Sequence, residues 1–319
     1  MFLFKIRFIS KVKKHILLDY CGEIFKKSKK INYDFLHLKC GENAFFVKDN
    51  KIENDNISIY QSFSRKNINN EMVKLLLCCN VLQQNKVKKI NYIAPFLPYT
   101  RHDSTDDKKL SLGCKMFADV INQCGISNIY TYDLHSKCFI EQLFNCKLNK
   151  ISVKEKEGEI TYYNKQKTLT VKSAIPLFIN YIKKNYNLDN NTVIVFPDIG
   201  ASKRFSNIVK NKNINIICCK KKHINENKVE ISIIGNVKDK NIIILDDIID
   251  TGKTIICLVK QLLKLGAKNI IVCATHGIFS SNSVKLINSL KIKEILITNS
   301  IQNNNLPRKF NVLKLKNYN

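Results

Sequence analysis

Residues 241–266, NIIILDDIIDTGKTIICLVKQLLKLG, constrain the fold more than any other stretch of the chain. Ile242 to Leu245 form an unbroken apolar run, which reads as a strand buried on both faces. A short Thr–Gly turn follows. Ile255, Leu258, Val259, Leu262 and Leu263 then recur on one face of a helix, and Gly266 supplies its C-terminal stop. Strand, turn and helix in immediate succession make half of a crossover unit, so the chain is committed to a mostly parallel sheet with helices packed on it.

The same order of elements recurs. NISIYQS (56–62), KINYIAPFLPY (89–99) and NIYTYDLH (128–135) are β-rich. Helical spacing lies between them at 71–84 and 112–125. In the second half, a helix is expected at 174–186, with strands at 191–200, 269–275 and 294–300. Two similar α/β domains are therefore expected, over residues 1–155 and 156–319. The polar stretch 152–170 reads as a linker or surface excursion between them. A chain of 319 residues is long enough for two cores.

The formal net charge is +27. A basic surface can attract nucleic acid, an anionic membrane or phosphorylated substrates. The competing reading is a general bias towards Lys, Asn and Ile, and the scatter of the lysines favours it. No nucleic-acid or membrane partner is expected, and no apolar run is long enough for a transmembrane helix. None of the twelve cysteines falls in a CxxC pair, so zinc spacing is absent and thiols in a reducing, cytoplasmic compartment are expected. The basic start MFLFKIRFISKVKKHILL lacks a small-residue cleavage site and reads as a first strand rather than a targeting peptide.

Three strands end on acid: at Asp133, with His135 two residues on; at Asp198; and at the pair Asp246–Asp247. Parallel sheets bind ligands beyond the carboxyl ends of their strands. After Asp246–Asp247 comes Asp250-Thr251-Gly252-Lys253-Thr254. This is not a Walker loop, because the Gly required at position 247 is Asp. It is still a strand-to-helix turn whose N–H groups suit a phosphate, with Thr251 and Thr254 as added donors. The paired acids would repel that phosphate. They suit sugar hydroxyls or a divalent cation on the same ligand. A phosphorylated sugar meets both demands; the alternative is a turn with helix-capping acids.

IIILDDIIDTGKT resembles the phosphoribosyl-diphosphate motif shared by type I phosphoribosyltransferases and ribose-phosphate diphosphokinases. LPYTRHDSTDD (97–107), YDLHS (132–136), FPDIGASKRF (196–205) and ATHGIFSSN (274–282) resemble four further diphosphokinase segments, in order, from about residue 15 to the end. The chain is thus identified as a divergent member of the ribose-phosphate diphosphokinase family. The resemblance implies two phosphoribosyltransferase-type domains, an ATP side first and a ribose 5-phosphate side second. It implies transfer of the diphosphate of ATP to the C1 hydroxyl of ribose 5-phosphate, giving AMP and 5-phosphoribosyl 1-diphosphate.

The resemblance also implies roles. Asp246, Asp247, Asp250, Thr251, Gly252 and Thr254 would hold ribose 5-phosphate. Arg101, His102, Asp106 and Glu42 would meet ATP. His135 and Asp198 match magnesium-associated positions. The basic stretch 218–228 corresponds to a mobile loop, where Lys220 and Lys222, with Arg101, would stabilise transition-state charge. A homo-oligomer built from dimers with shared ATP sites is implied too. Departures are evident: lysine replaces an expected arginine in that loop, His102 replaces Gln, and the adenine-reading segment shrinks to LKCGEN (38–43). They motivate an alternative, a non-catalytic regulatory paralogue.

Overall fold

The computed structural model describes residues 14–19, 29–49, 51–64, 67–101, 112–186, 188–209, 214–225 and 228–315. The first half contains β1 (Lys14–Asp19), β2 (Lys29–Lys30), β3 (Tyr33–His37), β4 (Asn43–Val47), β5 (Asn56–Ser62), α1 (Ile68–Gln84), β6 (Lys89–Ile93), α2 (Gly113–Gln123), β7 (Ile126–Tyr132), α3 (Lys137–Phe144), β8 (Ser152–Lys156), β9 (Glu159–Tyr163) and β10 (Thr168–Lys172). Its sheet has the order β2-β1-β5-β6-β7-β10-β9-β8. All neighbours are parallel except β10–β9 and β9–β8. Residues 1–13 of the basic N-terminal stretch lie outside the described residues; Lys14–Asp19 of it and its continuation pair parallel to β5.

The second half contains α4 (Ile175–Asn185), β11 (Thr192–Phe196), α5 (Ile199–Val209), β12 (Asn215–Cys218), β13 (Lys220–Asn225), β14 (Lys228–Ser232), β15 (Asn241–Ile249), α6 (Lys253–Lys264), β16 (Asn269–Gly277), α7 (Ser283–Asn288), β17 (Glu294–Thr298) and β18 (Phe310–Leu313). Its main sheet, β12-β11-β15-β16-β17-β18, is parallel throughout. The expected α/β architecture is therefore present in both halves.

Apolar continuity explains the second sheet. Ile242 and Ile244 of β15 join one apolar cluster with Ile255, Leu258 and Leu262 of α6. Ile243 and Leu245 face the other way, against Phe178 and Ile182 of α4 and Phe205 of α5. Burying a strand on both faces against helices is what its unbroken apolar run requires. The α6 helix stops as its sequence predicts. Gly266 takes φ +85°, its N–H reaches the Leu263 carbonyl at 3.1 Å, and the Ala267 N–H reaches Leu262 at 3.0 Å.

The stretch expected to be a linker is structured. Residues 152–172 form three strands that extend the first sheet, with β10 parallel to β7. The expected boundary at 155/156 falls inside β8. The alternation Ile160, Tyr162 and Leu169, Val171 gives the pairing away, but β8 itself is exposed along its length and carries no apolar signal.

The two lobes meet on a buried seam. Ile248, Ile278 and Ile301 of the second half pack into the first lobe's core. The Asp133 carboxylate, read from sequence as one of the ligand-facing strand ends, is instead buried. It accepts the Ala174 N–H at 2.8 Å and the Thr275 hydroxyl at 2.5 Å. His276 is buried beside it. A carbonyl can only accept, so Nε2–H donates to the Tyr132 oxygen at 3.1 Å; Nδ1 lies 2.8 Å from the Ser300 hydroxyl oxygen, which is also 3.0 Å from the Thr275 carbonyl. The Ser62 hydroxyl of β5 donates to the Ser300 carbonyl at 3.1 Å.

Burial pushes His276 down from 6.5 to about 4. The folded state therefore holds this ring neutral where the unfolded chain protonates it. Stability from this group is complete above pH 6.5 and is lost as pH falls towards 4. Urea titrations of wild type and His276→Gln across that interval should converge by about 3 kcal/mol as the pH drops; curves that stay parallel would contradict the neutral ring.

Candidate active site

The C-terminal ends of β7 and β15, the start of α5 and the turn before α6 converge between the lobes. Asp247, only 2% exposed, is the centre. His135 Nδ1 donates to its Oδ2 at 2.6 Å, from the first lobe. Arg204 Nη2 donates to its Oδ1 at 2.8 Å, from α5. Arg204 Nη1 also donates to the His135 carbonyl at 3.3 Å. Burial opposes ionisation of Asp247, but the His135 hydrogen bond and the Arg204 charge outweigh it and hold the carboxylate below its usual range.

Asp246 has the opposite environment. Burial first, and then the adjacent Asp247, raise it well above the carboxylate range; Asp198 adds to the repulsion. Its Oδ1 accepts the Asp247 N–H at 2.9 Å. Two neighbours in sequence are thus driven to different protonation states. Asp198 caps α5: its Oδ1 accepts the Ala201 N–H, the third of the helix, at 2.9 Å. No bond to its other oxygen is made among the described residues.

The turn read from sequence as a phosphate cradle lies directly before α6. Gly252 takes φ +74° as the N-cap of α6, and the Ile256 N–H returns to its carbonyl at 2.8 Å. Thr251 is exposed, and Thr254 is half-buried in the first helical turn. A Cβ on Gly252 would lie 2.8 Å from Ile287 Cδ1, so packing and backbone both demand glycine. Asp250, the turn's first residue, is gripped from the first lobe: Arg101 Nη1 donates to its Oδ2 at 2.6 Å. Burial opposes its ionisation, but Ser280 and Arg101 outweigh this and lower it.

Two cavities flank this polar line. One, of about 580 Å³, lies beside Arg101 and Asp250 with Phe63, Phe96 and Ile301 in its walls. The other, of about 590 Å³, runs between the β8–β9 hairpin and α5, past His135 and Arg204.

Other expected site residues are placed elsewhere or not described. His102 and Asp106 lie outside the described residues. Glu42 is exposed next to the tip of the β3–β4 hairpin, its carbonyl accepting the Leu38 N–H. The lysine-rich stretch expected to be a loop is largely a hairpin. Lys220 pairs with Ser232 and Lys222 with Glu230, and Ile231 anchors β14 in the second lobe's core. Lys220 is exposed. The sequence reading passed over Arg204. Its signal was faint: a single arginine six residues after the capping Asp198, about 9 Å further along the helix, whose long side chain reaches back to Asp247.

Replacing Arg204 by Met should destabilise the protein by about 2–4 kcal/mol, because the buried Asp247 carboxylate then loses its guanidinium partner and keeps only the His135 hydrogen bond. Gly252→Ala should cost about 1–3 kcal/mol through its positive φ and the Ile287 contact. Urea denaturation at neutral pH reads both, and an unchanged midpoint for either would contradict the packing described.

Comparison with known proteins places this geometry. Residues 29–125 match the model for the N-terminal domain of ribose phosphate pyrophosphokinase, and residues 198–318 match a phosphoribosyl synthetase-associated domain. A ribose-phosphate pyrophosphokinase from Mycoplasmopsis pulmonis is 30% identical over 306 residues, covering 94% of this chain and 86% of that protein. One from Aquifex aeolicus is 29% identical over 235 residues, covering 73% and 68%. The crystal structure of phosphoribosylpyrophosphate synthetase from Mycobacterium smegmatis superposes with a TM-score of 0.77 over 95% of this chain and 94% of that one, at 21% identity. Fold, order of segments and full-length similarity agree: the chain belongs to the ribose-phosphate pyrophosphokinase (ribose-phosphate diphosphokinase) family.

Proposed function

We propose that this protein is an active ribose-phosphate diphosphokinase. It transfers the β,γ-diphosphate of ATP to the C1 hydroxyl of ribose 5-phosphate and releases AMP. The observation that carries the reading is the pair of contacts across the lobes, Arg101 to Asp250 and His135 to Asp247. They put a cation of the first lobe against the phosphate turn of the second, where a nucleotide polyphosphate and a pentose phosphate have to meet.

The 5-phosphate is held by the N–H groups of the 250–254 turn, the N-terminus of α6 and the hydroxyls of Thr251 and Thr254. Asp246 and Asp247 take the ring hydroxyls, the first able to donate a hydrogen bond and the second only to accept. The C1 oxygen bonds to the β-phosphorus as the bond from that phosphorus to the bridging oxygen breaks and AMP leaves. Arg101 neutralises charge on the polyphosphate, with Lys220 and Lys222 from the β13–β14 hairpin. The cavity beside Arg101 has the size and apolar walls of a nucleobase site, and His102, Asp106 and Glu42 complete the ATP side.

Magnesium fits this donor set. Among the described residues no cluster of three or more acidic, His or Cys side chains could hold a metal, so the ion would rely on substrate phosphates and one or two carboxylates. Asp198 has an oxygen left after capping α5 and is the better ligand; His135 has Nδ1 engaged by Asp247. When bound, magnesium would offset the polyphosphate charge. The proposal includes a homo-oligomer built from dimers. Leu36, Leu38 and Phe46 are exposed on the β3–β4 hairpin beside Glu42, and a second copy would cover them and bring Glu42 to a shared ATP site. A cytoplasmic location is supported by the thiols, none of them in a disulfide among the described residues.

The purified protein alone should release AMP only when ATP, magnesium and ribose 5-phosphate are all present, and Asp246→Ala should lower the rate by about a hundredfold or more. A folded wild type that is silent in this assay would overturn the assignment and favour the regulatory role. Arg101→Leu should lower turnover by a similar factor while leaving ribose 5-phosphate binding, read by calorimetry, within about threefold.

A further inference from the structure

We propose that Cys114 and Cys138 form an oxidisable thiol pair that closes to a disulfide under hydroperoxide and switches the first-lobe side of the cleft. Their sulfurs lie 3.0 Å apart, and neither is in a disulfide. Cys114 is the second residue of α2 and buried; Cys138 is the second residue of α3 and half-buried. A disulfide requires a separation of about 2.05 Å, so closing the pair moves the sulfurs together by only about 1 Å. The two cysteines are 24 residues apart, so no sequence motif announces them. The packing of α2 on α3 brings them together.

The placement supplies both a chemistry and a consequence. Cys138 is the accessible partner. Its thiolate attacks one peroxide oxygen, the O–O bond breaks, and water leaves with the proton that the thiol gave up. Cys138 is then a sulfenic acid. Cys114 attacks that sulfur from the buried side, the S–O bond breaks, and a second water leaves with its proton. Two thiols lose two electrons in total, and the peroxide is reduced to two waters. A thiol reductant reverses the change.

The consequence follows from the first turn of α3. Cys138 N–H donates to the Oγ of Ser136, the N-cap, at 3.0 Å. The residue before Ser136 is His135, whose ring holds Asp247 at 2.6 Å. A pull on Cys138 is therefore delivered within three residues to the contact that ties the lobes together. On the other side, α2 begins where the segment following Arg101 ends. Displacements of about 1 Å at such a centre cost about a hundredfold in rate, so the oxidised protein should be the slow form. This effect on turnover rests on the function proposed above; formation of the cross-link does not.

The test treats the reduced full-length protein with hydrogen peroxide and reads it by peptide mass spectrometry and AMP release. Exposed Cys40 reports that oxidant has reached the protein. The expected result is a Cys114–Cys138 peptide pair lighter by two hydrogens, a fall in turnover of about tenfold or more, and recovery of both with dithiothreitol. Cys138→Ser should keep the reduced rate and lose the peroxide sensitivity. Oxidised Cys40 with Cys114 and Cys138 still open to alkylation would overturn the proposal. So would a disulfide that leaves turnover unchanged, and if the reduced protein shows no turnover at all, the mass readout alone decides whether the pair closes.

Discussion

A carboxylate at 2% exposure persists only if its charge is met, and the way Asp247 meets its charge organises the molecule. A hydrogen-bond donor, His135, comes from the first lobe, and a cation, Arg204, from α5 in the second. If the lobes separated, Asp247 would keep Arg204 of its own lobe but lose the His135 hydrogen bond and the shelter from water that the first lobe gives it. The second lobe therefore needs the first for electrostatic reasons, beyond the apolar contact of Ile248, Ile278 and Ile301. Burial raises the Asp246 pKa first, and the same neighbour adds to it. A single ionised group thus fixes the approach of the lobes, the protonation of the adjacent acid and the position of the α3 N-terminus.

The hydrogen-bonded seam behind this site does different work. Asp133 bonds to Thr275 and Ala174, and His276 to Ser300 and the Tyr132 carbonyl, so the buried groups here are met by neutral partners. A buried acid and a buried imidazole with fully used hydrogen-bonding groups specify one docking geometry and exclude slipped ones. The front of the interface is charged and faces the cleft; the back is neutral and closed.

What could be read from the sequence follows the strength of each local signal. Strands buried on both faces, such as β11, β15 and β17, announce themselves as apolar runs, and α6 as a stripe ended by Gly266. The α5 helix was not expected, because Gly200, Ser202 and Ser206 weaken its propensity and only packing of Phe205 and Val209 secures it. The β13–β14 hairpin hid behind its lysines. At the site, the phosphate turn and the paired acids were legible because their chemistry is contiguous. Arg204 was not, since its partner Asp247 lies 43 residues on and only the fold makes them neighbours. Asp133 was misread for a related reason: an acid at a strand end looks the same in sequence whether it opens to a ligand or disappears beneath Thr275.

The hairpin of β3 and β4 leaves Leu36, Leu38 and Phe46 facing solvent. An exposed apolar surface of this kind favours whatever partner can cover it. If the hairpin's natural cover is another copy, dilution strips it away, and the quantity of protein in a cell becomes a control on what each molecule can do.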